Sequence, residues 1–377
     1  MIGSFSFSRA FAIFSKEIIQ MRRDRITLSM MLGIPLMQLI MFGFAINTDP
    51  RHLPTLVELH DNGPAVRSII HGLEASRYFT VKGIVAGKPE VETAFKKGEA
   101  LFVVSVPENF ERDLLRGSQP QILLDADATD PVATSAAAGA FSQILDTALK
   151  PVLEGSGLES MTSQPVTPVI HKRYNPAGRT SVNIVPGLLG IILTMTMTLM
   201  TSIALTRETE RGTLEALLST PARPAEVMVG KITPFVVVGL MQTALMLVLA
   251  RSFFGVPFVG SFIAFGAAVA CFILVNLAIG FFCSTVARTQ MQAMQMTFFF
   301  FLPSILLSGF MFPFDGMPKW ARTIGEGLPT THFIRVVRSV MLKGAELREV
   351  LPELGSLCII LSVVTCLAIF RYRRTLD

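Results

Sequence analysis

The sequence predicts an α-helical membrane protein with six transmembrane helices and an α/β extracytoplasmic domain inserted after the first of them. Three observations carry that prediction. Hydrophobic residues make up 51% of the 377 residues and charged residues only 16%, far from the balance of a soluble domain. Stretches at 26–46, 182–206, 232–250, 257–287, 291–312 and 354–370 are predominantly apolar, close to the about 20 residues that a helix needs to cross a bilayer. Between the first two lies a polar segment that alternates strand-like and helix-like patterns.

Residues 1–25 read as an amphipathic cytoplasmic helix, with Phe7, Phe11, Phe14 and Ile18 on one face. The first span, 26–46, is longer than the apolar core of a signal peptide and lacks a small-x-small cleavage site, so it reads as an uncleaved anchor. In the segment 47–181, the runs Leu53 to Leu59, Phe79 to Val85, Leu101 to Val106 and Gln121 to Leu124 read as strands. Helical patterns near 64–76, 89–98, 108–116 and 131–150 separate and follow them. Such alternation implies an α/β layer with at least some parallel pairing. Residues 151–180, rich in Pro and Gly, read as a linker back to the membrane. The segment contains no cysteine, so a hydrophobic core must hold it together. All four cysteines, Cys271, Cys283, Cys358 and Cys366, lie in predicted spans.

Residues 182–371 hold spans two to six. The fifth, with Pro303 inside it and Pro313 just after it, is expected to bend or break. Lys and Arg collect beside spans on the cytoplasmic side. Lys16, Arg22, Arg23 and Arg25, then Arg207, Arg211, Arg223 and Lys231, then Arg371, Arg373 and Arg374 fall on one face of a six-span chain. Both termini, including the tail 372–377, are therefore expected in the cytoplasm. The segment 313–350 violates the rule with Lys319, Arg322, Arg335, Arg338, Lys343 and Arg348 on the other side. Phe333, Val336, Val337 and Val340 repeat at helical spacing opposite Arg335, Arg338 and Ser339, which reads as an interfacial helix whose arginines meet lipid phosphates.

No catalytic constellation stands out. The five histidines are scattered, without a Ser/His/Asp set, HExxH or CxxC. Asp125, Asp127 and Asp130 read as a solvated turn, lacking the glycine and distal Glu of an EF-hand loop. The run Gly83 to Pro89 is one residue short of a phosphate loop, ends in Pro, and has no helix N-terminus directly behind it, so it is set aside. The cores of the six spans contain no ionisable residue. Ion-coupled carriers generally place such residues near the midplane, so the energy for any transport must come from elsewhere.

Three segments carry a family resemblance: RETERGTLEALLSTPARPAEVMVGK at Arg207 to Lys231, RYNPAGRTSVNIVPG before the second span, and LPSILLSGFMFPFDGMP followed by LPTTHFIRVVRSVMLKG. The chain resembles the membrane subunits of ABC-2 type exporters, the type V exporter-like fold, and within them the bacterial inner-membrane permeases with a large periplasmic domain after the first span. The resemblance implies a second copy or paralogue of the permease, cytoplasmic ATP-binding-cassette ATPase subunits that bind ATP and Mg, and no cofactor on this chain itself. It also implies that segment 207–231 is the ATPase-coupling element, with Leu214, Leu217 and Leu218 at i, i+3, i+4 and with Glu208, Glu210, Arg211 and Glu215 setting its charge match. The bland reading of the same spacing is an interfacial helix with a solvated face. The segment 313–350 is similar to the family's paired half-helices that dip into the membrane from outside. Pro313, Gly316 and Pro318 supply the break, Trp320 an interfacial anchor, Pro329 a second break, and Arg335 and Arg338 the basic helix.

Thr194, Thr198, Thr201 and Ser202 share one face of the second span, with Met195 beside it, while Met294 and Phe298 give the fifth span a bulky surface. These residues either pack helices together or, where two copies meet, line the substrate path. Gln242 and Asn276 are isolated amides suited to bonding a neighbouring helix. The reading that follows is a permease exporting a hydrophobic or amphiphilic solute, with a periplasmic adaptor as a further partner. A receptor or scaffold whose outer domain binds a ligand is the alternative, and the charge-free spans argue against an ion-coupled transporter.

Overall fold

A five-stranded sheet with its helices and a bundle of long apolar helices share the chain. The computed structural model describes residues 51–129, 131–154, 165–177, 179–210 and 224–373. The predicted helix 1–25 and first span 26–46 lie outside these described residues.

In the sheet domain β1 (Leu53–Leu59), β2 (Phe79–Val85), β3 (Phe102–Val106), β4 (Gln121–Asp127) and β5 (Thr167–Arg173) are ordered β2-β1-β3-β4-β5. β1 runs parallel to β2 and β3, β4 is antiparallel to β3, and β5 is parallel to β4. Parallel neighbours need helical crossovers. α1 (Pro64–Ala75), with a proline in its first turn, links β1 to β2, and α2 (Lys88–Lys97) links β2 to β3. Together with the short α3 (Phe110–Leu115) and the long α4 (Pro131–Glu154), α1 covers one face. There Val66, Ile69, Phe79, Phe102, Phe110 and Phe141 form a common core. Phe79 meets Phe102 edge to face at 5.7 Å. α2 closes the opposite face through Val91 and Phe95 against Val103.

β5 corrects the expected linker. Its prolines read as punctuation, but Pro168 sits on an edge strand, where a missing N–H is tolerated. α4 likewise continues through Pro151 to Glu154. A helix N-terminus does follow the Gly83 to Pro89 run, since α2 starts at Lys88, so that ground for setting the run aside fails while its short spacing and its Pro89 stand.

Four helices among the described residues are long and apolar enough to cross a membrane, at Ser181–Glu210, Thr233–Ser252, Phe262–Val286 and Leu347–Arg371. They belong to α5 (Thr180–Glu210), α6 (Pro224–Ser252), α7 (Phe262–Val286) and α11 (Leu347–Arg373). α7 is shorter than its predicted stretch because Ser261 caps it, its Oγ accepting from the Ala264 N–H. The predicted fifth span is α8 (Gln290–Leu307), which opens with Gln290, Gln292 and Gln295 and is not among those four. After a turn of 3₁₀ helix at Phe314–Gly316 come α9 (Lys319–Glu326) and α10 (Pro329–Lys343).

α5 packs against α6, α7, α8 and α10, and α7 packs against α11. α7 is apolar all round and largely buried, as a central helix should be. α11 instead leaves Ile359, Val363, Leu367 and Phe370 exposed, the surface a bilayer would cover. Gly280 of α7 lets the backbones of α5 and α7 approach, since a Cβ there would lie 2.6 Å from the Thr198 carbonyl oxygen. Phe333 of α10 stacks on Phe272 of α7 with ring centroids 3.9 Å apart.

α10 departs from the expected interfacial helix. Its Phe333, Val336, Val337 and Val340 are buried, and so are Thr330, Thr331 and His332. It is a buried helix, held between α5, α7 and α11 with α2 of the sheet domain against its end.

Candidate functional site

The sequence points to two places, the segment around 207–231 and the hydroxyl face of α5. Arg211, Leu214, Glu215, Leu217 and Leu218 lie outside the described residues. Glu208 and Glu210 are in the last turn of α5. Gln290 at the start of α8 ties that turn down: its N–H and Nε2 donate to Glu210 Oε2 at 3.3 and 2.8 Å, and its Oε1 accepts from Arg207 Nε at 3.4 Å. An isolated glutamine carries no sequence signal for this role.

The hydroxyl face of α5 is buried within one chain. Thr194 Oγ1 donates to the Gly190 carbonyl and lies 3.2 Å from Thr330 Oγ1 of α10. Thr198 Oγ1 lies 3.3 Å from Asn276 Oδ1 of α7, and Thr196 donates to Gln242 of α6 at 2.9 Å. The two amides thus join helices. Thr201 Oγ1 and Ser202 Oγ are buried with no hydrogen-bond partner among the described residues. Met195 is half-buried, whereas Met294 and Phe298 stand exposed on α8.

A third place, where the sheet domain meets α10, was not read from the sequence. Lys343, the last residue of α10, reaches into the sheet domain. Its Nζ donates to Asp127 Oδ2 and to the Phe95 carbonyl, the latter at 3.1 Å. The other carboxylate oxygen, Asp127 Oδ1, accepts from Thr129 N and Oγ1 at 3.1 and 2.8 Å. The Asp127 side chain is 0% exposed and that of Lys343 6%, so the pair is desolvated, with both carboxylate oxygens and two of the three ammonium protons hydrogen-bonded. Asp125 is equally committed, with His171 Nδ1 at 2.5 Å and Arg173 Nη2 at 2.5 Å. The hydrogen bond to Asp125 holds the Arg173 guanidinium pKa above its ordinary value, and burial pushes the Tyr174 phenol up to about 12. Asp125 and Asp127 are therefore buried ion-pair members and not the expected solvated turn. Asp130 lies outside the described residues.

A second ionic cluster joins α9, α10 and α11. His332 Nδ1 lies 2.5 Å from Glu353 Oε2, and Nε2 lies 2.9 Å from the Glu326 carbonyl. An ionised carboxylate and a carbonyl can only accept, so both ring nitrogens donate and the ring is an imidazolium. Burial disfavours that charge, but the bonds to Glu353 and to the Glu326 carbonyl outweigh it and hold the His332 pKa above the ordinary histidine value. Arg335 makes a two-pronged contact with Glu326, at 2.7 and 3.1 Å, and reaches Glu353 at 3.4 Å. Its charge is met by carboxylates of the chain, where the sequence suggested lipid phosphates. Arg338 donates to the Gly309 carbonyl at 3.2 Å. Pro313 and Pro329 are buried, Pro318 is half-buried and Trp320 is exposed.

No trio of His, Cys, Asp or Glu able to hold a metal occurs among the described residues. The arrangement therefore defines a class of protein: a multi-helix membrane protein whose spans lack ionisable groups in their centres and whose ionic chemistry gathers where a sheet domain meets two short helices. The chain belongs to the ABC-2 transporter family, matching the family described as "ABC-2 family transporter protein" over residues 25–370. It is 30% identical over 343 residues to the Escherichia coli protein named "Probable multidrug ABC transporter permease YbhS", covering 90% of each chain. It is 27% identical over 368 residues to "Probable multidrug ABC transporter permease YbhR" of the same organism, covering 98% of this chain and 99% of that one. "Inner membrane transport permease YhhJ", also from Escherichia coli, is 31% identical over 295 residues, 76% of each chain. The protein is thus a multi-pass permease of the ABC transporter type, a class that works with ATPase subunits in the inner membrane.

Proposed function

We propose that the chain is the permease subunit of an ATP-driven exporter that moves a hydrophobic or amphiphilic solute, a drug or lipid, out of the cytoplasm or inner leaflet. The observation that carries this reading is the family match over 25–370 together with spans whose centres hold no group able to couple ion movement to transport. ATP and Mg bind to separate ATPase subunits, and two permease chains, identical or paralogous, form the path between them. Six spans, with 26–46 as the first and α8 as the fifth, place both termini in the cytoplasm and the sheet domain outside. Segment 313–350 re-enters the membrane from that side, and a periplasmic adaptor docks on the sheet domain. The printed names of the two multidrug relatives support the substrate class.

Segment 207–231 receives the ATPase. Support comes from the tether of Arg207 and Glu210 to Gln290, which would pass a push on the segment to α8. Thr201 and Ser202, buried without partners, support a path along α5, with Met195, Met294 and Phe298 as its apolar wall.

The test is co-expression with the candidate ATP-binding-cassette ATPase subunits of the same organism, purification in lipid, and ATPase measurement for wild type and for Leu214→Asp/Leu217→Asp. Copurification with wild type and separation, or loss of substrate-stimulated hydrolysis, in the double variant is the expected result. Failure of wild type to retain any ATPase would overturn the exporter reading.

A further inference from the structure

Between the sheet domain and the outer helices lies a half-open cavity of about 320 Å³. Six cationic side chains line it against three carboxylates. Two of the cations are already neutralised, Lys343 by Asp127 and Arg335 by Glu326 and Glu353. Lys97 sits 3.8 Å from Glu99, and Arg338 of α10 donates to the Gly309 carbonyl. Lys82 of β2 and Lys96 of α2 complete the cationic wall, and among the described residues neither has a carboxylate within ion-pair reach. A low-dielectric cleft whose wall carries an excess of one sign of charge concentrates the opposite one.

An independent observation points to an occupant. Ser308, the residue that ends α8, also lines the cavity; it is 2% exposed, and its Oγ has no hydrogen-bond partner among the described residues. A buried hydroxyl left unpaired is costly, and here it borders space that a ligand can enter. Lysine ammonium groups, a guanidinium and a hydroxyl contributed to one cavity by four elements suit a tetrahedral oxyanion with several acceptor oxygens better than a planar carboxylate. The rest of the wall mixes apolar Phe314, Ile334 and Val350 with Thr129, Ser339 and the carboxylate of Glu349.

We propose that this cavity binds a phosphate-bearing anionic amphiphile, with Arg338 and Lys96 holding the phosphate, Lys82 adding charge at the mouth, and the Ser308 hydroxyl donating to a phosphate oxygen. The site stands apart from the ATPase-coupling reading, since none of its residues belongs to segment 207–231. A phospholipid headgroup and a free phosphate share this chemistry, and the experiment separates them.

Full-length protein in a neutral detergent is titrated with phosphatidylglycerol, phosphatidylcholine or inorganic phosphate, and bound molecules are counted by native mass spectrometry. Saturable phosphatidylglycerol binding, weakened about tenfold by Arg338→Gln or Lys96→Gln and about threefold by Ser308→Ala, is expected, one charge-assisted hydrogen bond being worth roughly a factor of ten. Lys82→Gln, on an exposed strand residue, gives a several-fold loss without threatening the fold. Inorganic phosphate binding with the same variant pattern, in place of the lipid, would assign the site to free phosphate groups. Phosphatidylglycerol binding unchanged in all four variants, weakened as much by the surface control Lys88→Gln/Lys172→Gln, or matched by phosphatidylcholine, would overturn the proposal.

Discussion

Replacing Lys343 by methionine should loosen the junction between the sheet domain and the membrane helices. The substitution keeps most of the apolar stem and removes the charge, leaving Asp127 Oδ2 buried without its cation, while Thr129 still serves Oδ1. Removing one member of a buried ion pair costs about 3–5 kcal/mol, and the side-chain exposures of 0% and 6% place this pair fully in that class. At about 1.4 kcal/mol per factor of ten, opening of the junction should become about a hundredfold to a few thousandfold more frequent. Hydrogen exchange of the full chain in lipid nanodiscs reads this directly, in peptides covering the end of α2, where the Phe95 carbonyl loses its donor, and the second half of α10. Asp127→Asn should act in the same direction. Asp127→Leu/Lys343→Met should recover much of the protection, because a buried pair and a well-packed apolar pair are often near equal in stability. Exchange within about threefold of wild type in both single variants would refute the reasoning, as would a double variant no better than either single. Either result would mean that apolar packing alone holds the two parts together.

Further outcomes follow from other contacts. His332 is held as an imidazolium between Glu353 and the Glu326 carbonyl, with Arg335 as the neighbouring cation, and its pKa is raised in the folded protein. The stabilisation is therefore complete below the ordinary histidine value of 6.5 and is lost as pH rises through the higher folded value. The thermal unfolding midpoint should fall as pH rises above the ordinary histidine value of 6.5, and His332→Gln should flatten that slope; an unchanged slope would remove His332 as its source. Gly280→Val should destabilise by about 1–3 kcal/mol or more through overpacking, since its Cβ would meet the Thr198 carbonyl oxygen at 2.6 Å and Thr201 Cβ at 2.9 Å. Unfolding in a graded denaturing detergent checks this, and a neutral result would mean that α5 and α7 can move apart freely.

The sequence alone determined the class of the molecule and most of its elements. Spans announce themselves because a lipid-facing helix must be apolar over its whole length, a signal that survives without any neighbour. The sheet domain was legible for a similar reason: strands such as Leu53–Leu59 and helices such as Pro64–Ala75 carry their periodicity and their punctuation locally. Segment 313–350 reads as paired half-helices only through the family resemblance, and α9 (Lys319–Glu326) and α10 (Pro329–Lys343) lie there, each beginning at or beside one of the prolines Pro318 and Pro329.

Local signals failed where partners are distant. β5 was hidden because Pro168 looks like a linker residue until Gln121 to Asp127 is seen beside it. Asp127 looks solvated in a run of aspartates, and only the fold brings Lys343, 216 residues away, onto its carboxylate. Arg335 looks destined for lipid phosphates until α9 and α11 supply Glu326 and Glu353. A charged side chain carries in its own identity the need for a counter-charge but not the address of one. The tertiary structure decided those addresses, and with them the buried ionic junction and the basic cavity beside it.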